Sequence, residues 1–252
     1  MRGESEFHIM STSFPWPDGY RAALSLSFDD ARISEADIGL PVLDEQNAKA
    51  TFYVSFGSLE QRLDAWKNTV KNGHEIGNHT ISHPCSGNFA FSAHNALEDY
   101  TLERMEAELT GANAKIEALL GVTPRTFAYP CGQTFVGRGE NLRSYIPLVA
   151  KHFRAGRAFR SESANQPNFC DFAQLHGVDG DNQSFDELMV WVEKALRAGE
   201  WLIFCGHEIG IPTNQTFCAN AMAQLCEFAR DNGIWLDTVA TINEHVRRVR
   251  AV

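Results

Sequence analysis

The sequence predicts an α/β fold built round a parallel sheet or barrel, on three observations. Apolar, β-rich runs alternate with segments of helical periodicity along the chain. The chemically reactive residues stand just after predicted strands, the end at which a parallel α/β barrel assembles its active site. A length of 252 residues is ordinary for one such domain, and neither an internal repeat nor a linker interrupts it.

The elements follow in order. Over 22–28, Leu24, Leu26 and Phe28 alternate with small or polar residues, which predicts a strand. Residues 50–56 read as a second strand and Glu75-Ile76-Gly77 as a short third. Across 97–120, Leu102, Met105, Leu109, Ala112, Ile116 and Leu119 recur at helical spacing, with Gly121 as a C-terminal cap and Pro124 as a stop. A strand is expected around 125–128. Ser184-Phe185-Asp186-Glu187 is a capping box that opens a helix through Ala198, and Gly199 lies just past its end. Strands over 201–205 and 234–236 complete the alternation. One domain is expected over 21–252, after an N-terminal extension over 1–20 whose residues 1–11 read either as native chain or as a tag remnant.

Composition narrows the function. The formal net charge is −10 and no basic stripe exists, so a nucleic-acid partner is excluded while a neutral sugar polymer is not. No run approaches the roughly 18 apolar residues of a membrane span. The first residues lack the apolar core of a signal peptide, so a cytoplasmic protein is expected, or a secreted one whose leader has been trimmed. Cys85, Cys131, Cys170, Cys205, Cys218 and Cys226 are irregularly spaced without a Cys-x-x-Cys, and read as free thiols in a reducing compartment. The glycine-rich stretch from Gly132 to Glu140 does not match a phosphate loop.

Asp29-Asp30 ends the first strand and His79-Thr80-Ile81-Ser82-His83 follows the third. Histidines at i and i+4 on a helical turn would point both imidazoles at one spot. A neighbouring carboxylate then completes a three-ligand metal site with one position open. Only one aspartate is needed as a ligand, and the other is left beside the metal as a base.

Here the chain resembles a known family. Ser27-Phe28-Asp29-Asp30-Ala31 is similar to the first motif, usually Thr-Phe-Asp-Asp-Gly, of the polysaccharide deacetylases with a NodB homology domain (carbohydrate esterase family 4). Gly73-His74-Glu75-Ile76-Gly77-Asn78-His79-Thr80-Ile81-Ser82-His83-Pro84 resembles the second motif, His-Ser/Thr-x-x-His, with its usual upstream residues. The resemblance runs from about Ala22 to Ala240. It implies a distorted (β/α)7 TIM-like barrel and a divalent metal, zinc before cobalt or nickel, on Asp30, His79 and His83. Asp29 would be the general base acting on metal-bound water.

Phe127-Ala128-Tyr129-Pro130-Cys131-Gly132 occupies the place of the third motif. The backbone N–H of Cys131 is then the candidate oxyanion donor, with Tyr129 beside it toward substrate. Cys131 as a nucleophile finds no partner base in the sequence. Phe204-Cys205-Gly206-His207-Glu208 resembles the fifth motif, which makes His207 the general acid. Two departures stand out. Ala128 replaces the arginine that braces the catalytic aspartate, for which Arg157 is the candidate substitute. No Asp-x-x-Asp-Trp exists, and Asp179 is the candidate carboxylate to tune His207.

The implied reaction is removal of an N- or O-linked acetyl group from a carbohydrate. The departures leave the usual substrate, an N-acetylated glucosamine polymer, open. A hydrolase of small linear or cyclic amides, allantoinase- or imidase-like, is the alternative on the same fold, and a non-catalytic carbohydrate-binding protein is the third reading. Between Pro84 and His94, Phe89 and Phe91 are expected to pack locally rather than line a substrate cleft.

Overall fold

The computed structural model describes residues 14–252. Its centre is a sheet of β1 (Ala22–Asp29), β2 (Thr51–Val54), β3 (Glu75–Asn78), β4 (Thr126–Ala128), β5 (Ala155–Arg157), β6 (Val178–Asp179), β7 (Trp201–Gly206) and β8 (Ile234–Leu236). The strand order is β5-β4-β3-β2-β1-β7-β6, with β8 added along the first half of β1. Every pair is parallel. A single parallel bridge, Arg157 to Leu175, joins β5 to the segment that leads into β6. The sheet therefore curls into a barrel of the expected α/β type, which among the described residues is closed by that one bridge rather than by a full strand pairing.

Period-2 alternation decides which side chains reach the interior. Leu24, Leu26 and Phe28 of β1 pack with Leu188, Met222 and Leu225 from the outer helices. Ser25 and Ser27 point the other way, where Ser25 accepts from the Trp201 indole and Ser27 donates to the Phe204 carbonyl. Asp29 shares their parity and is carried into the barrel mouth. All eight residues of β1 are buried, because both faces of this central strand are covered.

The helix Phe185–Ala198 has the expected capping box at Ser184 and Glu187, and Gly199 caps its end at φ 69°. The helix expected from 97 begins later, as Leu102–Leu120, because extended Thr101 caps it by accepting from the Arg104 N–H. Residues Leu97–Asp99 form a separate 3-10 turn. No helix among the described residues is long and apolar enough to cross a membrane. The extension expected over 1–20 lies outside the described residues through residue 13, and so does the tag remnant expected at 1–11. Within its remainder, Phe14 and Trp16 are buried and pack on His245.

Candidate active site

Because all strands are parallel, their carboxyl ends gather at one mouth. Asp29, Asp30, Arg32, His79, His83, Phe89, Phe91, Cys131, Phe159, Arg160, His207 and Gln215 line a cleft there of about 430 Å³.

On one side Asp30, His79 and His83 each aim a donor atom at a common point, the three lying within 4.8 Å of one another. Asp30 Oδ1 is 3.9 Å from His79 Nε2 and 3.8 Å from His83 Nε2. A tetrahedral ion with bonds of about 2.0–2.2 Å needs donors roughly 3.4 Å apart, so the cradle fits a small divalent ion after a slight closure. The Ala128 carbonyl accepts from His79 Nδ1 at 2.9 Å, which leaves the Nε2 lone pair directed at that point. Burial, with the neighbouring His79, pushes His83 down to about 4, so its ring is neutral near pH 7, the form that ligates. Burial alone would raise the Asp30 carboxyl, but His79, His83 and Arg32 outweigh it and hold it at about 2.

The two histidines converge without the expected helical turn. Thr80 and His83 adopt left-handed φ of 66° and 50°. The loop is shaped by hydrogen bonds instead: Thr80 N–H donates to the Asn78 side chain and His83 N–H to Thr80 Oγ1. Glu108, on the helix Leu102–Leu120, accepts from the Ile81 N–H, the Ser82 N–H and the Ser82 hydroxyl. Asp30 is in the left-handed region too, at φ 82°, and accepts from Ser55 and Arg32.

The opposite side holds an acid and a base. Arg157, wholly buried, donates to Asp29 Oδ1. It stands in register with Ala128, so the cation absent from β4 is supplied at the same level by β5. His207 Nδ1 lies 2.6 Å from Asp181 Oδ2, and the His207 N–H donates to Asp181 Oδ1 at 3.1 Å. Burial would lower His207, but the Asp181 hydrogen bond and the charges of Asp29, Asp181 and Asp30 raise it above its ordinary value.

Two assignments are corrected here. Asp179 does not touch His207: its Oδ2 pairs with Arg160 and its Oδ1 accepts from the Asp181 N–H. That second bond folds the chain at the strand end and turns Asp181 toward the histidine. Two aspartates spaced two apart after a strand were the available signal, but only the turn selects between them. Tyr129 does not face the cleft either. It shares its side of β4 with Phe127, so its ring is buried against Phe127 and Tyr145 and its hydroxyl donates to the Ala173 carbonyl.

Cys131 does line the cleft, in a turn where its own φ is 53°. The next two N–H groups, of Gly132 and Gln133, are spent inside the turn on the Tyr129 and Pro130 carbonyls. The Cys85 thiol lies beside it, and its hydrogen bond holds the Cys131 thiol below its ordinary range. Phe89 and Phe91 pack on each other at 5.4 Å, yet both also line the cleft and stay partly exposed, contrary to the purely local packing expected. Phe159 forms part of the cleft wall, edge-on to His207 at 5.5 Å. Five lining residues, Asp30, His83, Cys131, Arg160 and Gln215, hold positive φ, the strained backbone that concentrates at functional sites.

A family model described as polysaccharide deacetylase matches residues 18–144. The chain is 35% identical over 107 residues to chitin deacetylase 1 of Cryptococcus neoformans var. grubii, covering 42% of this chain and 20% of that protein. It spans under a third of the length of the curated relatives it matches. A Mycobacterium smegmatis structure named for polysaccharide deacetylase superposes with a TM-score of 0.67 at 17% identity, over 94% of this chain and 93% of that one. A family 4 acetyl xylan esterase from Clostridium thermocellum, in complex with cobalt, superposes with a TM-score of 0.59 at 17% identity, over 91% and 92% of the two chains.

Proposed function

The chain belongs to the polysaccharide deacetylase family, and from that membership we propose that it removes an acetyl group from a carbohydrate by metal-assisted hydrolysis. The observation that carries this reading is the meeting, in one cleft, of a three-donor cradle with a buried base and a paired acid. Asp30, His79 and His83 would hold a divalent ion, zinc before cobalt or nickel, which supplies Lewis acidity toward the acetyl carbonyl when bound.

The chain's own residues perform the remaining work. Asp29 takes a proton from the attacking water, and the fixed Arg157 guanidinium keeps its carboxyl group aimed at the cleft. The Cys131 N–H faces the oxygen that gains charge as the carbonyl becomes tetrahedral. Asp181 pairs with His207 at Nδ1 and favours the imidazolium, which delivers its Nε2 proton to the departing amine or alkoxide. Phe89, Phe91 and Phe159 offer apolar ring surface on which a sugar face can lie. The comparisons lend the small-amide alternative no support.

The test is acetate release by metal-reconstituted protein from N-acetylglucosamine oligomers and from acetylated xylan, with Asp29→Asn as control. Release that needs both the ion and Asp29 is expected, and the substrate that responds identifies the linkage. A folded, stoichiometrically loaded protein that releases acetate from neither would sink the proposal.

A further inference from the structure

A second set of metal donors lies back to back with the first. His83, Cys85 and Cys131 each offer a donor atom within 4.8 Å of the other two, and Cys85 sits on the Nδ1 side of the ring whose Nε2 faces Asp30. The Cys85 Sγ to His83 Nδ1 separation is 3.6 Å. A tetrahedral ion with a metal–sulfur bond of about 2.3 Å and a metal–nitrogen bond of about 2.1 Å sets those two atoms roughly 3.6 Å apart. The donors are already held. The Cys85 N–H donates to Ser92 Oγ, which donates back to the Cys85 carbonyl, and Cys131 is fixed by its left-handed turn. Cys85 is buried while Cys131 borders the cleft, so a fourth position would open to solvent or substrate.

We propose that His83, Cys85 and Cys131 form a binding site for a thiophilic cation, such as Cd2+, Cu+ or excess Zn2+, that competes with the hydrolytic ion for His83. Two thiolates and an imidazole make a soft donor set, whereas Asp30, His79 and His83 make a harder one, so the two sites prefer different ions. A neutral imidazole has one lone pair. An ion on Nδ1 leaves the proton on Nε2 and removes that nitrogen from the Asp30–His79 cradle. Binding displaces two thiol protons to the buffer. The site itself stands on the donor geometry; only its inhibitory consequence rests on the deacetylase reading.

Cd2+ titrated anaerobically into the reduced, metal-free full chain tests this, followed by the thiolate-to-cadmium charge-transfer absorption in the ultraviolet and by proton release. One equivalent is expected to give the band in the wild type and in Asp30→Asn, which retains all three soft donors. Cys131→Ser and Cys85→Ser should each halve the band and weaken binding by about tenfold or more. The double variant should abolish it. Cys131→Ser, at a half-exposed position, decides the matter if Cys85→Ser does not fold. Absence of a band at one equivalent, an undiminished band in a folded Cys131→Ser, or any band in a folded double variant overturns the site. Should deacetylation be detected, Cd2+ should inhibit the wild type at lower concentration than Cys85→Ser. Inhibition equal in both would overturn the competition. Absence of turnover with every ion would sink the deacetylase reading alone, since the band is read independently.

Discussion

The two walls of the cleft are held by different means. On the metal side the bracing is mostly hydrogen bonding to backbone: Ala128 fixes His79, Thr80 holds the His83 N–H, and Glu108 gathers the loop between them. An ion pair there joins Asp30 to Arg32, whose side chain is 38% exposed. On the proton-transfer side each reacting group is locked to an opposite charge, Asp29 to an Arg157 with no exposed side chain and His207 to a nearly buried Asp181. The difference follows from the task. Metal donors must keep a free lone pair, which a buried cation would compete for. An acid and a base must keep a protonation state, which a fixed counter-charge secures.

The largest break should come on the metal side. Asp30→Ala or His79→Ala is expected to lose bound ion and to cut acetate release by a factor on the order of a thousand or more, since Lewis-acid stabilisation is worth several kcal/mol. Metal analysis together with acetate assay checks both halves. Retention of ion and full rate in either variant would contradict the cradle.

Stability should break on the other side. Arg157→Leu leaves Asp29 buried without its partner, an expected loss of about 3–5 kcal/mol in urea unfolding. Adding Asp29→Asn should recover most of that loss without restoring turnover. Arg32→Ala, at a half-exposed pair, should cost no more than about 1 kcal/mol. Equal losses from the two arginines would erase the distinction between the walls.

Glu108→Ala removes three hydrogen bonds from the histidine loop without touching a donor atom. Metal affinity should fall by roughly 10–100-fold, as it does when ligand supports are lost, while the unfolding midpoint moves little. Competition with a chelator measures it, and unchanged affinity would mean that the loop holds itself.

The smallest effect is in pH. Burial would lower His207, but the Asp181 hydrogen bond together with the charges of Asp29, Asp181 and Asp30 raises it. The proton needed for the leaving group is therefore retained above the ordinary histidine range and lost as pH rises through the raised value. Asp181→Asn should shift the alkaline limb of the rate profile to lower pH and leave the acid limb in place. By linkage, the folding stability tied to this proton is complete below the unfolded histidine value and disappears as pH rises through the folded one. An alkaline limb that does not move would assign that limb to another group.

Much of the site was legible because its residues sit next to strand ends. Asp29 and Asp30 close β1, His79 follows β3 and His207 follows β7, so a parallel sheet must bring them together. Alternation of Leu24, Leu26 and Phe28 also made β1 itself legible. The same rule, applied at Tyr129, would have placed its ring with Phe127 in the core. Asp181 was harder, because beyond Asp179 the strand period no longer applies and the turn sets direction.

The sequence by itself determined the α/β class, the place of most core strands along the chain and the motifs at their ends, since periodicity and caps act within a few residues. Tertiary structure alone decided which carboxylate meets His207, that Arg157 reaches Asp29 across 128 residues, and that Cys85 and Cys131 lie together on one histidine. The physical reason is that these contacts join residues far apart in the chain, and the last of them also needs left-handed backbone at His83 and Cys131, whose dihedrals are strained locally. The rest of the barrel holds them there.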